Sequence, residues 1–174
     1  PIRPLTAADL DDALALVWRV FTEFEAPDYS ARGISEFEDY IRPSAVRQRL
    51  DTGEELLWGA FDKEAVVGLL AVRPPNHVSL MFVDKSHHRQ GIARALFAEA
   101  LAALSANGEP EMTVHSSPSA AEAYHHLGFQ DTGPEQTENG LRYIPMKRPA
   151  GGTVNQARPL GPCCNSTFRP CTSW

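Results

Sequence analysis

The body of this chain of 174 residues contains no cysteine; Cys163, Cys164 and Cys171 all stand in its last dozen residues. Residues 1–162 can therefore form neither a disulfide nor a cysteine-ligated metal site, and the three tail cysteines lack the paired spacing of a zinc site and leave an odd count. No metal is expected. No apolar run approaches the ~20 residues that a membrane-spanning helix needs, and the first residues do not follow a secretory pattern. A soluble, cytoplasmic protein without a membrane partner is expected. Basic residues are outnumbered, 16 Lys and Arg against 22 Asp and Glu, for a formal charge of −6. That balance argues against a nucleic-acid partner, because binding to a phosphate backbone rests on clustered Lys and Arg. Two familiar phosphate loops are missing as well: no glycine-rich segment ends in Gly-Lys-Ser/Thr, and no repeated glycine follows a strand as in a dinucleotide fingerprint.

What the chain does have is the stretch from Val78 to Phe97. An apolar run (Val78, Leu80, Met81, Phe82, Val83) is followed by a polar turn carrying His87, His88 and Arg89. Gly91 comes next, and then apolar residues return at helical spacing. The first amides of such a helix have no intrahelical partner, and with the helix dipole they form an anion site. Gly91, Ala93 and Ala95 keep bulk away from those amides, and Arg89 and Arg94 add positive charge. A phosphate fits there. Read from these residues alone, a solvated turn before an ordinary amphipathic helix fits equally well.

The rest of the chain predicts an α/β domain over residues 1–148. Thr6 and Asp9 make a capping-box start, and Leu10, Ala13, Leu14, Val17, Phe21 and Phe24 follow at helical spacing. Further helices are predicted over 35–41 and 44–50. Residues 54–61 and 65–73 form a hairpin around Asp62-Lys63-Glu64, and 78–83 is the next strand. A long helix covers 92–105, and a strand 112–115. Pro118 stands at the first turn of a following helix with Ser117 as its cap, and Gly128 ends it. Glu138-Asn139-Gly140 turns into a last strand over 141–147. From Pro149 onward glycine and proline replace any apolar period, so residues 149–174 are expected to be disordered.

A second stretch gives the first its meaning: Ser117-Pro118-Ser119-Ala120-Ala121-Glu122-Ala123-Tyr124-His125-His126-Leu127-Gly128-Phe129. Together with His88-Arg89-Gln90-Gly91-Ile92-Ala93 it resembles the acetyl-CoA-binding core of the GNAT superfamily of acyl-CoA N-acyltransferases. That family's segments read Arg/Gln-x-x-Gly-x-Gly/Ala and Asn-x-x-Ala-x-x-x-Tyr-x-x-x-Gly-Phe; here His88 stands for Arg/Gln and Ser117 for Asn. The run Phe24-Glu25-Ala26-Pro27-Asp28-Tyr29-Ser30 also resembles a branch of small acetyltransferases. The resemblance implies a mixed, mostly antiparallel seven-stranded sheet flanked by helices and splayed between its fourth and fifth strands. It implies acetyl-CoA as cosubstrate, with the pyrophosphate held by His88, Arg89, Gln90, Gly91, Ile92, Ala93 and Arg94. Pantetheine would pair with the fourth strand around Phe82 and Val83, and Ser117 would complete the cofactor site. The acceptor would be a small-molecule or protein amine, and a homodimer is compatible with the family.

Acyl transfer from a thioester to an amine needs the amine neutral and the leaving thiolate protonated. Tyr124 stands where the family places its general acid, although a half-buried ring packed under the cofactor would occupy the same position. The apolar strand 78–83 contains no carboxylate, so the base must come from elsewhere. His115 ends the fifth strand near the expected acetyl position and could take a proton directly or through water. Glu23, Glu25 and Asp28 follow the first helix, where a solvated helix end is the plainer reading. Two function classes therefore stand at this stage, an acetyl-CoA-dependent N-acetyltransferase and a catalytically silent acyl-CoA-binding module.

Overall fold

A computed structural model describes residues 1–151 and 171–172. Elements follow in the order β1 (Ile2–Pro4), α1 (Leu10–Phe24), α2 (Ala31–Tyr40), α3 (Pro43–Thr52), β2 (Leu56–Asp62), β3 (Ala65–Arg73), β4 (His77–Val83), α4 (Ile92–Leu104), β5 (Met112–Ser116), α5 (Ala121–His126), β6 (Gln130–Asp131), β7 (Gln136–Glu138), β8 (Leu141–Arg148) and β9 (Cys171–Thr172). Seven strands make one continuous path, β1-β2-β3-β4-β5-β8-β6, with β7 on β8 and β9 on β4. Among the described strands only β4 and β5 run parallel, and every other pair is antiparallel. This is the mixed α/β sheet that the resemblance implied.

The sheet separates two cores. On one face Leu10, Leu14, Val17 and Phe21 of α1 and Phe37 of α2 meet Leu69, Ala71, Leu80 and Phe82. On the other, Leu96, Phe97, Ala100 and Leu101 of α4 and Tyr124 of α5 meet Leu70, Val72, Met81 and Val114. Alternation along each strand sends successive side chains to opposite cores, so an apolar strand buried on both faces needs no polar positions. Near the start of β4 that alternation is interrupted. Val72 pairs with Val78 while Ala71 pairs with Leu80, so Ser79 is an extra residue. Such a bulge bends a strand and re-aims the residues beside it.

Several boundaries differ from the sequence expectation. Ala31 already starts α2, four residues early, because the Ser30 hydroxyl caps it by accepting from the Gly33 amide at 3.1 Å. Gly33 weakens the local helix signal, but its lack of a side chain is needed for packing. Before α1, Thr6 and Asp9 form their capping box on a short 3-10 turn, with Arg3 chelating Asp9 at 2.8 and 2.9 Å. The hairpin turn at Glu138-Asn139-Gly140 implies one strand before it, without bounds; the structure has β7 there and β6 in addition, and all of their residues are exposed, so no apolar alternation marks their limits. Most of the segment expected to be disordered lies outside the described residues.

Candidate active site

The parallel strands β4 and β5 pair only at His77↔Thr113 and Val78↔Val114 and then diverge, leaving a V that widens toward their carboxyl ends. Backbone groups on the β4 side of the V are open to an added strand. The described structure places one there: Cys171 pairs with Met81 and Thr172 with Leu80. The pairing lies nearer the apex than Phe82 and Val83, the positions implied for pantetheine. Phe82 is fully buried in the core, and the Val83 carbonyl accepts a hydrogen bond from His88 Nε2 at 2.8 Å.

At the mouth of the V, Arg89 (φ 61°) and Gly91 (φ 79°) both adopt the left-handed conformation. Gly91 is the N-cap of α4, and no side chain caps the helix. A Cβ built on Gly91 would meet nothing within 4 Å, so its glycine is required by backbone conformation and by whatever enters that open space. Arg89, Gln90, Gly91 and Arg94 are exposed, and Ile92 and Ala93 partly so. Uncapped amides at the start of a 13-residue helix, with two arginines beside them, fit a pyrophosphate. The His88 ring bonds to the Val83 carbonyl and lies 5.8 Å from the Phe24 ring, tying the loop to β4 and α1. Because a carbonyl can only accept, Nε2 of His88 carries the proton in that bond. The loop is anchored further by Asp84, which accepts from Arg19 at 2.5 Å and from Ser86. Burial raises the Asp84 pKa, but the Ser86 and Arg19 hydrogen bonds outweigh it and bring the group to about 2.

The opposite side of the V carries polar chemistry. His115 of β5 is half-buried, stacked on Tyr143 of β8 at 4.4 Å and edge-on to His77 at 5.1 Å. His77 Nδ1 is 2.8 Å from Thr113 Oγ1, and its pKa is lowered to about 4, first by burial and then by the charges of Arg73 and His115. Next to it a buried network surrounds Glu55, which is 0% exposed. Its Oε1 accepts from Tyr40 at 2.8 Å and from the hydroxyl of Ser79 in the bulge, and its Oε2 accepts from Arg49 Nε at 2.9 Å. Burial, then the Glu55 charge, raises the Tyr40 pKa well above the usual phenol range. None of His77, Glu55, Tyr40 or Arg73 was singled out from sequence. Their positions at strand ends and a helix end gave no periodic signal, and only the bulge and the strand register bring them together.

Tyr124 lies on α5 in the core on the α4 side, 0% exposed and edge-on to Phe129 at 5.3 Å. It is more deeply buried than a half-buried ring. Ser117 is also buried, with its hydroxyl 3.3 Å from that of Ser119. It stands before the 3-10 turn Pro118–Ala120, but its side chain does not cap that turn, contrary to the sequence expectation. Gly128 ends α5 in the left-handed conformation as expected. Of the three carboxylates after α1, Glu23 is on the surface with Lys85 at 2.5 Å and Asp28 is exposed, whereas Glu25 is 1% exposed at the helix C-cap. Glu25 is therefore no solvated helix end. Among the described residues no group of three or more His, Cys, Asp or Glu could hold a metal ion, and no helix is long and apolar enough to cross a membrane.

A family model described as an acetyltransferase (GNAT) domain matches residues 25–149. An uncharacterized N-acetyltransferase of Escherichia coli strain K12, YafP, is 26% identical over 137 residues, covering 79% of this chain and 85% of that protein. Among solved structures, the PaiA N-acetyltransferase of Thermoplasma acidophilum in complex with coenzyme A is similar with a TM-score of 0.72 at 17% identity, over 86% of this chain and 98% of its own. A GCN5-related N-acetyltransferase from Rhodopseudomonas palustris gives a TM-score of 0.73 at 20% identity, over 86% of this chain and 94% of its own. At those identities the structural likeness concerns the fold, and the family rests on the sequence match across most of the chain. With a diverging β4–β5 pair, an uncapped helix at its mouth and that match, the chain belongs to the GNAT acetyltransferase family of acyltransferases.

Proposed function

We propose that this protein is an acetyl-CoA-dependent N-acetyltransferase that moves an acetyl group to the primary amine of a small molecule by direct attack within a ternary complex. One observation carries the reading: the V between β4 and β5 opens onto a left-handed Gly91 and the uncapped start of α4. The amides of α4 with Arg89 and Arg94 hold the pyrophosphate, and the β4 edge pairs with pantetheine as with an added strand. The chemistry that acetyl-CoA supplies is an activated acyl thioester. The protein contributes orientation, a dry site and two proton transfers. His115, on the acceptor side of the V, takes the amine proton directly or through water, and the Tyr124 hydroxyl, on the cofactor side, gives one to the departing thiolate. An acetyl-CoA donor puts the reaction in the cytoplasm.

A small acceptor is favoured by the contact between the start of α2 and the β7–β8 turn. A Cβ on Gly33 would stand 2.6 Å from the Gly140 carbonyl oxygen, and one on Gly140 2.1 Å from Ser30 Oγ. Leu141, next to that turn, packs into the α1–α2 core. The two walls flanking the acceptor side are thus joined, and a joined rim admits a small amine more readily than a folded protein. Titration with acetyl-CoA and with free coenzyme A, followed by turnover on a panel of small amines and lysine peptides, tests the reading. Binding with turnover on small amines is expected, together with loss of binding in a folded Gly91→Glu variant. Binding without turnover on any amine would leave the silent-module reading in its place.

A further inference from the structure

The floor of the acceptor side contains one cation that the described structure does not neutralise. Arg73, the last residue of β3, pairs across strands with His77, so the two side chains share a face. That face is the one opposite Val72 and Val78, which belong to the α4-side core. Arg73 is largely covered, and its Nε is a buried donor with no hydrogen-bond partner among the described residues. Buried donors are nearly always bonded, so an exception calls for an explanation. The nearby carboxylate is already committed: Glu55 accepts from Arg49, Tyr40 and Ser79 at once. The Arg73 charge nevertheless reaches its neighbours, since it lowers the pKa of both His77 and Tyr40, in each case after larger contributions headed by burial. Glu55 is taken up by Arg49 at 2.9 Å, and no ion pair joins Arg73 to a described carboxylate.

Building on the acetyltransferase reading, we infer that Arg73 binds a carboxylate of the acceptor, so that the substrate class is an amino acid or another small amine carrying a carboxylate. A guanidinium presents its Nε and one Nη as a side-on fork that matches two carboxylate oxygens. The acetyl group would lie where β4 and β5 part, beside Leu80, whose cross-strand partner is Ala71. From Ala71 to Arg73 is two residues, about 7 Å along the strand, and one strand spacing adds about 5 Å. The separation between the two backbone positions is about 9 Å, and the arginine side chain shortens it by leaning along the strand. A carboxylate held by Arg73 would therefore leave an amine a few bonds away near the reacting carbonyl. The rings of His77, His115 and Tyr143, packed against one another on the same side, provide apolar walls between the two ends.

Matched pairs of amino acids and their carboxamides test the assignment, with kcat/KM measured for the wild type, Arg73→Gln and Arg73→Lys. Acetyl-CoA affinity and thermal midpoint are recorded for each protein. The wild type is expected to favour the carboxylate over its amide by tenfold or more. Arg73→Gln should bring the ratio close to one through a higher KM for the carboxylate, with acetyl-CoA affinity unchanged, and Arg73→Lys should retain part of the preference. A wild type that acetylates amides as well as acids, or a glutamine variant that keeps the preference, overturns the carboxylate site while leaving the acetyltransferase reading intact. Failure of the wild type to bind acetyl-CoA would overturn both. Should Arg73→Gln not fold, the wild-type ratio and the lysine variant still decide the matter.

Discussion

Gly33 and Gly140 stand so close that a Cβ added to Gly33 would lie 2.6 Å from the Gly140 carbonyl oxygen and 2.9 Å from its carbonyl carbon. Both atoms are backbone, so neither can swing aside. Gly33 is buried within the first turn of α2, and Gly140 turns the β7–β8 hairpin at φ 79°. The two glycines let a helix and a hairpin from distant parts of the chain touch beside the acceptor side of the V.

Replacing Gly33 by alanine is expected to push the hairpin outward. Overpacking of this kind costs about 1–3 kcal/mol, part of which the better helix propensity of alanine offsets. The thermal midpoint should fall by several degrees. Because the displaced hairpin leads into Tyr143, which stacks on His115, the acceptor KM should rise while acetyl-CoA affinity stays near the wild-type value. Equal losses for both substrates would show that the contact supports the whole fold instead.

His77 makes stability depend on pH. Its folded pKa is lowered to about 4, chiefly by burial, against an ordinary value of 6.5. Between those values the unfolded chain binds a proton that the folded protein refuses, so stability decreases as pH falls from about 6.5 to about 4 and levels off below. The full effect is at most about 3 kcal/mol. His77→Gln keeps a polar group beside Thr113 but cannot titrate. Its urea midpoint should therefore decline less than that of the wild type between pH 7 and pH 4, and parallel declines would mean that His77 is not the group responsible.

The parts of this site that repeat along the chain were legible in the sequence, and the parts created by register were not. The apolar strand and the start of α4 come from a single run of about twenty residues with local rules, and they fold as those rules require. Tyr124 was placed on its helix by the spacing from Ser117 to Phe129, though its complete burial depends on α4 lying above it. Glu55, Ser79 and Arg73 carry no local signal of any kind. A glutamate before a strand, a serine within one and an arginine ending one are each ordinary. Ser79 bonds to Glu55 as an extra residue in β4, and Arg73 is brought beside His77 by the β3–β4 register. Glu25 was misjudged for a similar reason. It follows a helix, where solvent is the usual neighbour, yet it is 1% exposed.

Tyr124 separates packing from chemistry. The ring is 0% exposed and edge-on to Phe129 at 86°, contacts that phenylalanine reproduces. Tyr124→Phe should leave the thermal midpoint within a few degrees of the wild type and acetyl-CoA affinity nearly unchanged. If the hydroxyl protonates the departing thiolate, kcat should fall by about 10²-fold or more. A phenylalanine variant with wild-type kcat, measured with a pre-steady-state burst so that slow product release does not mask the chemical step, would remove Tyr124 as the acid.

The last expectation concerns the two residues that already occupy the V. Cys171 and Thr172 pair with Met81 and Leu80 on the β4 edge, which is the edge that pantetheine would use as an added strand. Two ligands for one set of backbone groups exclude each other, and by linkage whatever stabilises one arrangement weakens the other. A strand of two residues makes few bonds, so its hold is weak. A chain ending after Arg148 should therefore bind coenzyme A and acetyl-CoA more tightly, by roughly two- to tenfold, with KM for acetyl-CoA falling in parallel and kcat little changed. Hydrogen exchange adds an independent check: of the Leu80 and Met81 amides, which point to opposite neighbours, the one facing β9 and not β3 should exchange faster in the truncated protein and be protected again on adding coenzyme A. Equal affinity in both chains, with unchanged exchange at those amides, would mean that the β9 pairing does not compete for the site.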